Sequence, residues 1–245
     1  MDKIFAGIKP DFYQQWLECP SGRNYLRASN LLIDNLLNFR PNWRVLDIGC
    51  GSGSHLQHLA GHRLQTFGLE ASPVMLDMAR QRLGARAEIT SGDALSLPYE
   101  DNSFDAVLMI NTLEYLERPG LALAEAIRVC SGFICIIGFN PWSLNSLLMP
   151  APLRPLRSFN LWQTRALVRQ LLGPAPQSSG SASLTGRPLI SRLPFMGLIG
   201  VCAPVTPRFM TTPLTLEVDA GVKLAGARGA GSLRVVKFLR RTPGR

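Results

Sequence analysis

Residues 45–53 read Val45-Leu46-Asp47-Ile48-Gly49-Cys50-Gly51-Ser52-Gly53. A short apolar run that ends in three alternating glycines reads as a buried strand turning into a helix. Glycine at these points lets the backbone turn sharply and lets a ligand come close to the main chain. Dinucleotide enzymes also use a glycine-rich turn, so the loop alone does not name its ligand. Two features narrow the choice. Asp47 sets a carboxylate at the strand end, where it would repel a pyrophosphate and attract an ammonium. The Gly-x-Gly-x-Gly spacing also differs from the dinucleotide fingerprint.

On either side of this segment the pattern alternates. Residues 11–40 read as a helical arm, with Ser29 or Asn30 as a cap for LLIDNLLNF and Pro41 as its stop. Residues 43–49, 64–70, 85–90, 104–110 and 132–139 read as strands. Residues 54–61, 73–83 and 119–128 read as the helices between them, with Ser72-Pro73 as cap and first turn of the second. Strands alternating with helices make βαβ units and a parallel sheet. Ligands then sit at the carboxyl ends of the strands. Beyond Asn140 the pattern loosens. Residues 161–172 read as a helix, 173–186 as a loop or weak edge strand, 188–204 as an apolar run with embedded prolines, and 232–241 as a final strand.

The strand ends carry polar residues. Glu70 lies 23 residues after Asp47, and a carboxylate there can accept two hydrogen bonds from a ribose diol. Asp93 ends the third strand and can accept from an exocyclic adenine amine. Asn111 follows the fourth strand into the same crevice; as a bare residue it could equally cap a helix.

VLDIGCGSG, then GLEASPVMLDMAR, then SGDALSLPYEDNSFDAVLMINTLEYLERP resemble the successive motifs of class I S-adenosylmethionine-dependent methyltransferases. The similarity covers about residues 43–138 and is to the small-molecule group that includes the ubiquinone and menaquinone enzymes. Tyr13-x-x-Trp16 followed by Ser21-Gly22-Arg23 resembles the arm that closes over the cofactor in many relatives. The resemblance implies a Rossmann-like, doubly wound, mostly parallel seven-stranded sheet with an antiparallel last strand, here 232–240. It implies one methyltransferase domain over 1–245: an arm (1–40), a cofactor core (41–140) and a substrate-side region (141–245). Its cofactor contacts would be Asp47, Gly49, Cys50, Gly51 and Gly53 around the methionine portion and Glu70 with Ala71 at the ribose. Asp93 and Ala94 would flank the adenine, with Asn111 near the transferred methyl. No catalytic residue is implied; Tyr13, Glu114 and Tyr115 are candidates by position alone.

Composition bounds the rest. With 46% hydrophobic and 18% charged residues the chain is not disordered. The apolar run Leu193–Thr206 is too short to span a bilayer, and the N-terminus shows no secretory signal. Five cysteines without a CxxC pair suggest a reducing cytoplasm and no disulfide framework. Residues 1–140 hold 12 basic and 15 acidic residues (−3), and 141–245 hold 14 and 2 (+12). That asymmetry points to an anionic partner: a lipid headgroup, an acidic substrate or nucleic acid. Arginine makes up 22 of the 26 basic residues, which a GC-rich genome would also produce. Without aromatic interleaving, nucleic acid is disfavoured. A small lipophilic or acidic acceptor, with peripheral contact to an anionic membrane, fits better. An RNA methyltransferase and a non-catalytic cofactor-binding scaffold are the competing readings. His55 and His58 share a helix but have no acidic or cysteine neighbour on it, so they read as surface histidines and no metal is expected. Asn140-Pro141-Trp142 reads as a helix start at the substrate mouth, with Trp142 as pocket wall.

Overall fold

β1 (Arg44–Ile48) holds the middle of the sheet. It pairs in parallel with β2 (Gln65–Glu70) on one side and β4 (Phe104–Ile110) on the other. The computed structural model describes residues 10–144, 150, 155, 157–206, 219–222 and 233–235. β3 (Glu88–Ser91) extends the sheet beyond β2, and β5 (Cys130–Phe139) extends it beyond β4, both in parallel. The connections run through α3 (Ser54–Leu59), α4 (Pro73–Leu83) and α5 (Pro119–Val129). β4 is buried at every position but one, as a strand covered on both faces should be. α4 starts where expected: Ser72 accepts from Met75 N–H, Pro73 takes the first turn, and Gly84 ends the helix at φ +53°. α6 (Leu161–Leu172) opens on a capping box between Asn160 and Gln163.

The second half differs from the sequence reading. The sheet has eight strands, ordered β3-β2-β1-β4-β5-β8-β6-β7. The antiparallel strand beside β5 is β8 (Leu198–Pro204), not residues 232–240. Its side chains from Leu198 to Ala203 are buried, so the apolar run is sheet interior. The prolines that masked it lie before the strand and at its last position. Residues 178–182, expected as loop or edge, form β6, which sits between β8 and the short edge strand β7 (Ile190–Ser191). Leu233–Val235 is extended, as β10, but pairs antiparallel with β9 (Asp219–Val222) in a separate two-stranded sheet. The remaining residues of 232–241 lie outside the described set. Contacts divide the chain into two compact units, Met1–Arg208 and Phe209–Arg245. Among the described residues, no helix is long and apolar enough to cross a membrane.

The arm is helical as expected, as α1 (Pro10–Glu18) and α2 (Pro20–Leu36). Ser29 and Asn30 do not cap it. Ser29 is fully buried in mid-helix and donates back to the carbonyls of Tyr25 (2.9 Å) and Leu26 (3.1 Å). Pro20 starts the helix instead. α2 lies across β6 and β8, where Gly180 and Gly200 face each other in register. A Cβ on Gly200 would sit 2.5 Å from Leu36 Cδ1 and 3.2 Å from Leu32 Cδ2. Two bare backbones side by side therefore let the helix sink onto the sheet, and Leu32 and Ile33 are fully buried there.

Candidate active site

A cleft opens at the carboxyl ends of β1, β2, β4 and β5, where the chain passes from β1 to β2 on one side and returns to β4 on the other. Open sheets of this kind bind ligands at that reversal. The cleft holds about 980 Å³ of space, most of it in an open mouth continuous with solvent. Its floor is Gly49, Cys50, Gly51, Glu70, Ala71, Gly92, Asp93, Ala94, Asn111 and Thr112. Its cover comes from the arm, through Tyr13, Trp16 and Tyr25, with His55 of α3 beside them. Eight of the ten sequence-derived cofactor residues thus meet in one cleft. Asp47 and Gly53 are not part of its lining.

Gly49 has φ +73°, and a Cβ there would lie 2.6 Å from Thr112 Cγ2. Glycine is required at that point on both counts. The Gly49 and Cys50 amides both donate to Leu69 O, at 2.7 and 3.1 Å, which pins the loop to β2. Glu70 is 1% exposed and accepts from Gly51 N–H (2.9 Å) and Ser72 N–H (2.8 Å). Burial raises its pKa, and these backbone donors oppose the rise. Gly53 caps α3 and packs against Leu83 and Ala79 of α4, a structural part. Arg82 of α4 braces the loop from behind, donating to Ser52 O (2.9 Å) and reaching Gln14 Oε1 of the arm (3.1 Å).

Asp47 is buried, and its Oδ1 has no hydrogen-bond partner. Burial, and then the nearby Glu70, raise its pKa well above the carboxylate range. A buried acceptor without a partner is costly, and a cationic ligand group would relieve it. Asp93 accepts from Leu95 N–H (2.9 Å) within its own turn, which leaves its second oxygen open.

Sequence reasoning missed the polar relay under the arm. The Tyr25 hydroxyl reaches Asn111 Oδ1 at 3.0 Å and His55 Nε2 at 3.2 Å. His55 Nδ1 lies 2.8 Å from Asn30 Oδ1. His55 is not a surface histidine: it is 6% exposed, and burial, then His58, pushes its pKa down to about 3. A neutral imidazole carries one N–H. If Nδ1–H donates to Asn30, Tyr25 donates to Nε2 and the Asn111 amide nitrogen turns to Tyr25. If Nε2–H donates to Tyr25, Tyr25 donates to Asn111 Oδ1 and Asn111 Nδ2 is left buried without a protein partner. Either way Asn111, held at φ +50°, keeps one polar atom for a ligand. The signal for this was a tyrosine and a histidine 30 residues apart on separate helices, which no local pattern links.

The positional candidates separate. Tyr13 and Tyr115 line the cleft. Burial pushes the Tyr13 phenol up to about 12, with Asp47 adding to it, and burial also raises Tyr115. Glu114 does not line the cleft. It presses on Gly138 of β5 and opens toward a smaller cavity near Phe159 and Thr164. Trp142 is not a cleft wall: it is 61% exposed and lies 5.4 Å from Trp162 between ring centroids. Asn140 is buried and folds its own turn, accepting from Trp142 N–H.

Residues 46–132 match the family model of the methyltransferase domain. The matched segment carries a methyltransferase domain of the S-adenosylmethionine-dependent kind. It is 30% identical over 177 residues to an uncharacterized 37.1 kDa transposon protein of Streptomyces fradiae, covering 68% of this chain and 50% of that one. It is 33% identical over 150 residues to the demethylmenaquinone methyltransferase of Deinococcus radiodurans, covering 58% of this chain and 61% of that enzyme. The match therefore spans about half of these curated relatives' length. A solved family structure from Thermotoga maritima, a SAM-dependent methyltransferase, superposes with a TM-score of 0.66 over 80% of this chain and 95% of that one. At 20% identity it shows a shared fold.

Proposed function

We propose that the chain transfers a methyl group from S-adenosylmethionine to a small, lipophilic or acidic molecule. The observation that carries this is the buried Asp47 carboxylate with an unpartnered oxygen, set behind a glycine loop whose amide is held by Glu70. In this reading Asp47 and the loop Gly49–Gly53 attract the cationic methionine end. Glu70, beside Ala71, takes the ribose hydroxyls. Asp93 and Ala94 flank the adenine, and Asn111 stands near the methyl. Within 1–40 the described residues 10–40 form the cover, 41–140 the cofactor core, and the described residues of 141–206 the acceptor side. The cofactor supplies an electrophilic methyl on sulfur and departs neutral, so no residue has to protonate a leaving group. The protein's part is alignment, which can contribute about 7–11 kcal/mol of the barrier.

The loop at the carboxyl end of β5 supports the acceptor class. Leu189, Leu193 and Phe195 are exposed next to Arg187 and Arg192. Asn140 Nδ2 donates to Pro194 O (2.8 Å) and Met196 O (2.9 Å), which ties this loop to the carboxyl end of β5. Apolar side chains edged with arginine at that point suit an acceptor that is lipophilic, acidic or drawn from an anionic membrane.

The test is calorimetric titration with S-adenosylmethionine, S-adenosylhomocysteine and NAD, on the parent and on Glu70→Ala. Two hydrogen bonds to a charged acceptor at about 1.5–3 kcal/mol each predict at least ~100-fold weaker binding in the variant. Circular dichroism checks that the variant folds. Binding of NAD alone, or equal affinity in the folded variant, would overturn the reading.

A further inference from the structure

The arm and the core meet at a second cluster, apart from the cleft. Asp34 comes from α2, His58 from α3, and His62 from the 3-10 turn Ala60–His62 that follows it. His58 Nε2 lies 3.0 Å from both Asp34 oxygens. His62 Nε2 lies 3.3 Å from His58 Nε2 and 3.4 Å from Asp34 Oδ1. Three donor atoms from three elements therefore converge on one point. We propose that Asp34, His58 and His62 bind one divalent transition-metal ion of the zinc type.

Geometry carries the proposal. Tetrahedral zinc holds nitrogen and oxygen ligands at about 2.0–2.2 Å, which sets neighbouring ligand atoms roughly 3.3–3.5 Å apart. The observed edges of 3.0, 3.3 and 3.4 Å match that triangle with little rearrangement. The donor chemistry agrees. Two imidazoles and a carboxylate suit zinc, cobalt or nickel, whereas calcium and magnesium require mostly oxygen. The side chains are 27% (His58), 33% (Asp34) and 35% (His62) exposed. Solvent can thus reach the ion and supply the fourth ligand. The Phe39 ring, 5.6 Å from that of His62, limits how far the imidazole can swing.

His55, which the sequence pairs with His58, is turned to Tyr25 and takes no part. Asp34 lies 24 residues before His58, so the third ligand is invisible until α2 packs on α3. The position has a consequence. α2 carries Tyr25 and α3 carries His55, the two sides of the relay under the cleft cover. An ion at this site would clamp the arm to the core beside that contact.

The test uses the full chain, free of any tag and stripped of metal. Zn2+ is titrated by calorimetry and Co2+ by visible absorption, and thermal unfolding is followed with and without Zn2+. The expected result is one equivalent of Zn2+ that excess Mg2+ does not displace, with a rise in unfolding temperature. Co2+ should give a tetrahedral spectrum without the intense band of a thiolate ligand. Loss of even an outer-shell partner weakens metal sites by about 10–100-fold, so His62→Gln and Asp34→Asn should each lose at least about tenfold. Cys19→Ser, which removes a partly exposed thiol, should bind like the parent. No stoichiometric binding would overturn the proposal, as would a thiolate spectrum or unchanged affinity in His58→Gln/His62→Gln. The cobalt spectrum of the parent reads the ligand set even if a variant misfolds.

Discussion

Glu114 gives the protein a titration near neutral pH. It sits in the 3-10 turn Leu113–Tyr115 after β4, is 3% exposed, and accepts from Phe139 N–H at 3.2 Å. Gly138 makes the fit: a Cβ there would lie 2.3 Å from Glu114 Oε1. Burial pushes the carboxyl from its ordinary 4.5 up to about 7, against the pull of its backbone donors. The native state then holds a proton that the unfolded chain releases, so the stability Glu114 contributes is fully present below pH 4.5 and is lost as pH rises through 7. A shift of roughly 2.5 units at 1.36 kcal/mol each is about 3 kcal/mol. Glu114→Gln keeps an acceptor for Phe139 N–H and removes the titration. Urea unfolding of both proteins from pH 4.5 to 8.5 at fixed ionic strength isolates the effect. Asp47 and Glu70, whose pKa values are also raised, act with the same sign in both proteins and cancel. The parent should lose about 3 kcal/mol relative to the variant across that range. A difference flat to within about 0.5 kcal/mol, the scatter expected of independent sites, would refute the argument.

Two further outcomes follow from the packing and the surface. Leu32→Ala empties a fully buried site between α2 and the Gly180–Gly200 pair and should cost about 2–5 kcal/mol in denaturant unfolding; a loss under about 1 kcal/mol would mean that α2 is not docked in solution. Vesicles of anionic lipid should co-sediment the protein at low salt, with each basic residue near the surface adding about 1 kcal/mol. Charge reversal at Arg187 and Arg192 should weaken this, and equal sedimentation with neutral vesicles would count against an electrostatic contact.

The parallel half of the sheet was readable because its signals are local. Most of its strands hold an apolar run, α4 and α5 open on a first-turn proline, Glu70 is the last residue of β2, and Asp93 lies two residues past β3. The closing strand was misplaced for a physical reason. A strand buried on both faces loses the alternation that marks strands, and β8 does so with Pro194 before it and Pro204 at its last position, whereas 232–241 interleaves apolar pairs with basic residues. β6 is nearly invisible because Ser178-Ser179-Gly180-Ser181-Ala182 has loop composition. It is a strand because it pairs with β8 and β7, and Gly180 lets Leu32 of α2 come close. Ser29 looked like a cap because serine in mid-helix is unusual, yet burial against the turn above satisfies its hydroxyl. The relay and the histidine–aspartate cluster share one cause: each joins α2 to α3, and contacts between two helices leave no trace in the spacing along either.

The state of the cleft's ionisable groups constrains how it can assist methyl transfer. Burial raises the phenols of Tyr13, Tyr25 and Tyr115, so at neutral pH each is a donor that positions and none is a base. His55 lines the cleft beside Tyr25, which it contacts at 3.2 Å, and burial keeps it neutral. Glu114, pushed up to about 7, lines the smaller cavity and not the cleft. A nucleophile that arrives already deprotonated, such as a carboxylate or an acidic phenol, or one with a free lone pair, needs no base at all. An alcohol that passed its proton to His55, directly or by way of Tyr25, would leave a buried imidazolium that burial strongly disfavours. On the function proposed above, acceptors that are anionic or carry a free lone pair are the ones expected to react without the relay. Tyr25→Phe separates the two cases: it should leave turnover of a deprotonated acceptor nearly intact and abolish turnover that depends on the relay.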